Sequence, residues 1–418
     1  MVVRRFISFV LAILFYWVPF SASALDDSNF TAILDLRFAH TGTAVSWLEE
    51  GLGKARYGSG EDLASRNLFR VGEAALVFDA DFTSSIAGHL HLKSDAEQDR
   101  LVDLAAAYVA FEPESSSNNR ITARVGMFFP PFSLENTETG WKSPYSISSS
   151  AINSWIGDEI RILGGEISGL HDYSNGTVSL SAAIFGANDP AGSLLAWRGW
   201  ALHDRKTGAQ DHLPLAPLSS ISEGGFIQMQ AQFVDPIREV DNRAGYYANA
   251  RLEHAESTIL QLSYYDNNAD ETSFDGEQYA WRTWFSGIGL HHIFSNNIEF
   301  LSQFIQGGSS MGQIPVLGHV VDIDFQSAYL MLSGTWGNHR LSLRQDWFDI
   351  DDRDYTPDDN NNEDGTSSML AYTYRISDIH AILFEAMNIK STRPARSDLG
   401  LAADASESIL QVNYRLVF

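Results

Sequence analysis

Asp358, Asn360 and Asn362, in the stretch DDNNNEDG, put side-chain oxygens at alternate positions, which is how a calcium-binding loop begins. The match then stops. The sixth position is Glu363, where the loop's turn needs glycine, and the twelfth is Met369, where the ion needs a bidentate glutamate. His89 and His91 share one face of an alternating segment, but spacing nominates no third ligand; His291 and His292 point to opposite faces. No Gly-x-Ser-x-Gly elbow occurs. No catalytic residue, metal site or cofactor is therefore assigned. A Ser, His and acid brought together from separate segments would leave no spacing signal.

What does recur is charge at every second residue. With Ala32, Leu34, Leu36 and Phe38 on one face, Asp35 and Arg37 fall on the other. The same parity places Arg124 opposite Ile121, Ala123, Val125 and Met127. It places Asn249, Arg251 and Glu253 opposite Ala248, Ala250 and Leu252, and Arg340, Ser342, Arg344 and Asp346 opposite Leu341 and Leu343. Thr373 and Arg375 oppose Leu370, Tyr372 and Tyr374. At the chain's end Gln411, Asn413 and Arg415 oppose Leu410, Val412, Tyr414, Leu416 and Phe418. Arg70 breaks the rule by sharing parity with Leu68, Leu76 and Phe78, and is expected at a rim. A charge at mid-membrane on a lipid face costs about 2–4 kcal/mol, so a membrane setting turns Arg37, Arg124, Arg251, Arg344, Arg375 and Arg415 toward a hydrated interior.

Residues with this alternation belong on strands. Sixteen are expected, near 29–41, 67–81, 85–94, 101–112, 119–129, 159–170, 176–188, 243–254, 257–267, 278–294, 297–307, 321–336, 339–350, 367–377, 380–390 and 406–418. Their connections alternate in length. Phe82-Thr83-Ser84, Ser295-Asn296, Gly337-Asn338 and Asp378-Ile379 are tight, and EPESSSNN is short. The segments 42–66, 130–158, 189–242, 268–277, 308–320, 351–366 and 391–405 are long, and 95–100 is intermediate. A soluble sandwich has no reason to alternate in this way. An up-and-down barrel in an outer membrane does, with short turns at one rim and long loops at the other, and it must close because an open edge in lipid leaves backbone groups unpaired. Sixteen strands are wide enough to enclose an aqueous channel. Within the longest connection, LLAWRGWALHDRKTGAQDHLPLAPL can pack as a short helix, cap a pore or meet a neighbouring subunit, and QMQAQFV can form an extra hairpin outside the membrane or a further strand beyond the sixteen.

The N-terminus agrees with export. Arg4 and Arg5 precede an apolar run from Phe6 to Phe20, and Ala22-Ser23-Ala24 is a small-x-small cleavage site. The reading is a signal peptide, 1–24, followed by one barrel domain, 25–418, with an uncleaved anchor as the alternative. No later stretch approaches 18 consecutive apolar residues, the length at which a helical span would be read. The chain has no cysteine. Its formal charge of −25 argues against nucleic acid. Nine acids and one arginine fall in 346–365, which reads as a solvated loop at a mouth.

GMFFPPFSLEN, residues 126–136, resembles a motif of the phosphate-selective porin family, in which a strand ends in glycine, a Pro-Phe turn and an acid. Gly126, Pro131, Phe132 and Glu135 are the matching positions. The resemblance implies a trimeric 16-stranded barrel whose third loop folds inward and narrows the pore. It makes Glu135, Glu138, Lys142, Asp158 and Glu159 candidate constriction residues. Phosphate-selective members concentrate lysine and arginine at the throat, whereas Lys142 is the only base in this loop, so phosphate specificity does not carry over. Acids of the loop opposite arginines of the wall would set a transverse field. The terminal strand, with Tyr414 and Phe418, resembles the signal read by the barrel-insertion machinery.

The expectation is an all-β, transmembrane, antiparallel up-and-down barrel in a Gram-negative outer membrane. It would be a passive diffusion channel for small hydrophilic, mostly ionic solutes, without enzymatic activity. Expected partners are outer-membrane lipid and lipopolysaccharide, the insertion machinery and two further copies of the chain. The alternative is a barrel not used for transport, either a hydrolase or an adhesin or structural protein whose acidic loops bind partners.

Overall fold

The computed structural model describes residues 28–60, 62–295, 297–314 and 318–418. The proposed signal peptide and its cleavage site lie outside them. The strands are β1 (Ser28–His40), β2 (Asn67–Thr83), β3 (Ile86–Ser94), β4 (Asp103–Phe111), β5 (Asn119–Phe128), β6 (Ile162–Tyr173), β7 (Gly176–Gly186), β8 (Leu213–Pro214), β9 (Phe233–Val234), β10 (Gly245–His254), β11 (Thr258–Asp266), β12 (Arg282–Ser295), β13 (Ile298–Ile314), β14 (Gly318–Trp336), β15 (His339–Asp352), β16 (Glu363–Arg375), β17 (His380–Thr392) and β18 (Asp404–Val417). The helices are α1 (Ala151–Glu159) and α2 (Ser193–Trp197).

All of these strands except β8 and β9 form one closed antiparallel ring of sixteen, in which β7 pairs directly with β10. β8 and β9 pair only with each other, so QMQAQFV contributes a bridge within the longest connection and no barrel strand. The ring closes where β1 meets β18, with Leu34 opposite Leu416 and Leu36 opposite Tyr414. Phe418 and Ala32 exchange backbone hydrogen bonds of 3.0 and 2.6 Å there. Closure satisfies the backbone that an edge would leave bare in hydrocarbon.

The period-2 pattern now has two sides. Val125, Ile167, Leu343 and Leu410 expose half their surface or more, whereas Asp35, Arg37, Asp346 and Asn413 are buried. Arg70 is not a rim exception. The β1–β2 register slips by one residue between Asp35 and Leu36, so that Arg70 lies opposite Arg37 and Glu73 opposite Asp35. The bulge reverses parity within β2, and Arg70 and Glu73 both face inward while Phe69 and Leu76 face out.

One expected loop is largely strand, and another is shortened at both ends. β13 and β14 continue to Ile314 and from Gly318, through most of the segment 308–320. β15 runs to Asp352 and β16 starts at Glu363, so both ends of the acidic run 346–365 are strand and 353–362 remains a loop, and Asp346 and Glu363 are buried rather than solvated.

Gly126 is required by close approach. Its φ is +144°, and a Cβ there would stand 2.2 Å from the Ala107 carbonyl oxygen and 2.6 Å from Tyr108 Cα on β4. Gly126→Ala is expected to push β4 and β5 apart at a cost of about 1–3 kcal/mol, the usual range for overpacking. Urea unfolding in lipid vesicles measures this; an unchanged midpoint would contradict it.

The interior that sixteen strands enclose is not an empty cylinder. Trp47, Trp155, Trp197, Trp200 and Trp281 are each 1 % exposed or less, within one apolar cluster that also takes in Leu194, Leu195, Leu202, Leu213 and Leu218. These residues come mainly from the connections after β1, β5 and β7, which carry too much apolar surface to lie in water. Each buried tryptophan removes on the order of 200 Å² from solvent, worth roughly 5 kcal/mol as an upper area estimate.

Candidate functional site

The inward faces of the barrel divide into two flanks. On β7 and β10 to β14, Phe185, Tyr247, Tyr265, Phe285 and Phe325 pack against aromatic side chains of the connections. Phe132 stands 5.2 Å from Tyr247 and 5.6 Å from Phe285 between ring centres. Trp155 of α1 stands 5.3 Å from Phe285 and 5.2 Å from Phe325, with Trp200 5.9 Å away. Ser150 caps α1 by accepting the Asn153 N–H, and Glu135 accepts the Ser150 N–H and an Asn153 side-chain N–H, each at 3.0 Å.

The flank formed by β18, β1, β2 and β3 is charged. Arg415 pairs with Asp35 at 2.9 Å, Asp35 with Lys142 at 2.8 Å, Lys142 with Glu73 at 3.1 Å and Glu73 with Lys206 at 2.5 Å. The chain neighbour of Lys206, Arg205, pairs with Asp211 at 2.8 Å. Asp204 accepts from Arg37 at 2.8 Å and from Arg56 at 3.0 Å, and Arg56 reaches Glu97 at 2.7 Å. Asp95 lies 2.6 Å from Lys93 and 3.5 Å from Arg205. These two networks meet in the chain at Asp204, Arg205 and Lys206 and between them reach two openings. Glu138, Lys142, Arg340, Arg375 and Arg415 line a vestibule of about 580 Å³ at the short-turn end. Arg100, Asp211, His212 and Asp235 line a hollow of about 200 Å³ at the long-loop end.

Among the described residues, buried polar atoms without a protein hydrogen bond recur on this flank. They include the Tyr57 hydroxyl, His91 Nε2, Arg56 Nε, Arg205 Nη1 and Asn413 Nδ2. Such atoms need water to satisfy them. Burial pushes the Lys206 ammonium down to about 8. It pushes the Glu159 carboxyl up to about 7, against the hydrogen bonds that carboxyl accepts.

The residues singled out in the sequence are distributed as follows. Glu135 is bound by Arg344 of β15 at 2.7 Å, and Glu138 lies 3.8 Å from Arg415. Those two acids oppose wall arginines. Lys142 instead pairs with wall acids. Asp158 pairs with Arg198 at 2.7 Å and lies 3.0 Å from His203, both on the longest connection. Glu159 accepts from the backbone of Gly192 and Leu194 and from Ser193, so it caps α2. Arg124 pairs with Glu166 of β6 at 2.8 Å, and Arg251 with Glu253 of its own strand at 2.7 Å. Arg375 lines the vestibule. Tyr414 lies on the outer face of β18, its hydroxyl 2.7 Å from His380, and Phe418 is exposed.

Asp204, Arg205 and Lys206 were not singled out, although HDRK is the one charged run within an aromatic stretch. In DDNNNEDG, Asn362 donates to Asn360 at 2.9 Å and accepts from the Asp352 backbone at 3.1 Å. Asp189, Glu239 and Asp241 bring carboxylate oxygens within 4.8 Å of one another. Each already accepts backbone N–H groups and ties the longest connection together.

No protein-family model matches the sequence, and no curated protein does. Solved structures share the fold. The outer membrane channel DcaP of Acinetobacter baumannii is 10% identical, with a TM-score of 0.56 over 94% of this chain and 97% of that one. The anion-selective porin from Comamonas acidovorans is 12% identical, with a TM-score of 0.53 over 94% and 99%. The trimer form of OmpT, an outer membrane protein of Vibrio cholerae, is 9% identical, with a TM-score of 0.52 over 94% and 99%.

Proposed function

We propose that the chain is an outer-membrane porin in which small ionic solutes pass along the charged flank, between the vestibule and the outer hollow. One observation carries this: two networks of opposite charges, joined through the consecutive residues Asp204, Arg205 and Lys206, reach from one opening to the other while the facing flank is filled by packed aromatic rings. Magnitude decides which flank yields. Releasing several tryptophans costs far more than exchanging an ion pair for a solute ion and water. The acidic segment after β5 narrows the route through Glu135, Glu138 and Lys142, as the resemblance of GMFFPPFSLEN implies. That resemblance concerns the strand end and its turn and brings no phosphate specificity with it.

The remaining parts of the reading are export through a signal peptide at 1–24, insertion guided by Tyr414 and Phe418, lipid and lipopolysaccharide around the outer face, and no catalysis. A homotrimer is supported by the trimeric neighbour. The packed aromatic flank favours one other reading, a barrel that does not conduct. Planar-bilayer recordings in a salt gradient separate the two: small ohmic steps with a measurable reversal potential are expected, and a silent, correctly folded protein would sink the porin reading.

These networks also make a pH prediction. Lys206 is charged at pH 7 and neutral above its lowered value of about 8. Raising the pH from about 7 to about 9 therefore removes one positive charge from the route, and the reversal potential is expected to move toward cation preference. Lys206→Gln should abolish that step; an identical step in the variant would contradict the assignment.

A further inference from the structure

Outward-facing histidines gather at one rim. His171, His254, His292, His339 and His380 each lie within about four residues of a tight turn, all at the short-turn end of their strands. Each has the parity of exposed apolar neighbours, such as Ile167, Ile288, Leu341 and Phe384. In every one, Nδ1 is held by a neutral group on the adjoining strand or its own sheet face. The partners are Asn119 for His171 at 2.8 Å, Tyr173 for His254 at 3.0 Å and Thr258 for His292 at 2.9 Å. Tyr372 holds His339 and Tyr414 holds His380, both at 2.7 Å. Among the described residues no protein group hydrogen-bonds to Nε2 of any of the five, so the second nitrogen remains free for a ligand outside the barrel.

The surroundings select that ligand. Rings of Tyr374 and Tyr414 stack on His339 and His380 with centroids 5.0 and 5.8 Å apart, the aromatic setting typical of headgroup depth. The arginines of this rim, Arg120, Arg251, Arg340, Arg375 and Arg415, have the opposite parity and face the interior. The groups that face the five rings are Tyr173, Tyr372, Tyr374, Tyr414, Asn119 and Thr258, with Phe294 beside His292 and Trp336 beside His339. Asp172, Glu253 and Arg340, next to them in the chain, point inward, and Glu256 and Asp378 lie in the adjoining turns. Among the described residues, the outer surface of this rim thus has imidazole, rather than arginine or lysine, as the group able to carry positive charge.

We propose that these five histidines form a collar that binds the phosphates of anionic phospholipids in the leaflet at the short-turn rim, more strongly as the rings gain protons. The proposal rests on the outer-membrane reading above. For His254, His292, His339 and His380, a hydroxyl that donates to Nδ1 leaves hydrogen on Nε2, so even the neutral ring is a donor toward phosphate; His171 donates Nδ1–H to the Asn119 side-chain oxygen and offers an Nε2 hydrogen only as the cation.

The test uses the whole barrel in nanodiscs of equal phosphatidylglycerol and phosphatidylcholine. The lipids retained after mild extraction are counted by native mass spectrometry at pH of about 5.5 and about 8. Phosphatidylglycerol is expected to be enriched about fivefold more at the lower pH, the effect of roughly one surface cation on an anionic leaflet. Replacing all five by glutamine, which keeps a hydrogen-bonding side chain, should flatten the profile, whereas His89→Gln on the inner face should leave it intact. If the fivefold variant does not fold, the pair His339→Gln and His380→Gln is expected to lower the rise. An equal ratio at both pH values in the unaltered protein, or an undiminished rise in the glutamine variants, overturns the collar. Failure of the unaltered protein to enter a bilayer at all would overturn the outer-membrane reading instead.

Discussion

Replacing Arg344 by leucine is expected to undock the segment that follows β5 and to raise single-channel conductance. The Arg344 side chain is wholly buried and holds four acceptors at once. Its Nη1 donates to Glu135 at 2.7 Å and to the Ser148 carbonyl at 2.8 Å, its Nη2 to the Ser149 carbonyl at 2.9 Å, and its Nε to Asp346 at 2.9 Å. Leucine fills part of the volume but leaves Glu135 and Asp346 buried without a cation. Removing one partner of such a pair costs about 3–5 kcal/mol, several times the roughly 1 kcal/mol of a surface pair. The segment would move before the strands part, because the ring of backbone hydrogen bonds is untouched. Larger and noisier current steps, with new protease cleavage between 136 and 150, would confirm the undocking. Arg344→Lys, which keeps the charge but loses the fork, should fall between the two. Unchanged conductance together with unchanged unfolding would show that the segment is held by its apolar contacts alone.

Asp204→Asn should reverse or strongly shift ion preference with little change in size of the steps. Asp204 is the carboxylate between Arg37 and Arg56. Asparagine keeps an accepting oxygen and the shape but removes the charge, so two nearly buried guanidiniums face the route with one fewer anion. Arg37 retains Asn413 at 3.0 Å and Gln411 at 3.1 Å, and Arg56 retains Glu97, which should keep both side chains in place. The anion-to-cation permeability ratio is expected to rise about tenfold, equivalent to about 1.4 kcal/mol. A reversal potential within error of the unaltered protein would remove Asp204 from the route.

Most of the barrel was legible because its physics is local. A strand that meets lipid on one side and polar groups on the other must alternate, and it did so wherever the register was regular, as in Leu341 to Asp346 or Leu410 to Phe418. Arg70 misled because one inserted residue reverses parity, and a bulge shows in a sequence only as a broken pattern. The ends of the acidic run 346–365 misled because composition does not distinguish a solvated loop from strand ends whose acids, here Asp346 and Glu363, have cations. Lys54 and Arg393, which hold Glu363 at 2.6 and 3.1 Å, are distant in the chain. The interior was the least legible part. Apart from Asp211, which pairs with Arg205 from within the same connection, Asp204, Arg205 and Lys206 find their partners on β1, on β2 and in the segments 54–56 and 95–97, more than 100 residues away. No local period encodes that meeting, although charges inside LLAWRGWALHDRKTG were a signal that the stretch would be buried and would need partners.

Water and ions are expected to follow the charged flank and avoid the aromatic one. Ala75 of β2 and Ala183 of β7 both face inward and are almost equally buried, at 3 % and 5 % exposure. Ala75 lies opposite Lys93, whereas Ala183 lies opposite Tyr247 in the aromatic cluster. The chain has no cysteine, so Ala75→Cys and Ala183→Cys each introduce a single thiol. A charged, membrane-impermeant thiol reagent added during planar-bilayer recording should change the current through Ala75→Cys and leave Ala183→Cys unaffected. Modification of Ala183→Cys with Ala75→Cys untouched would place the route on the other side of the barrel and contradict the account.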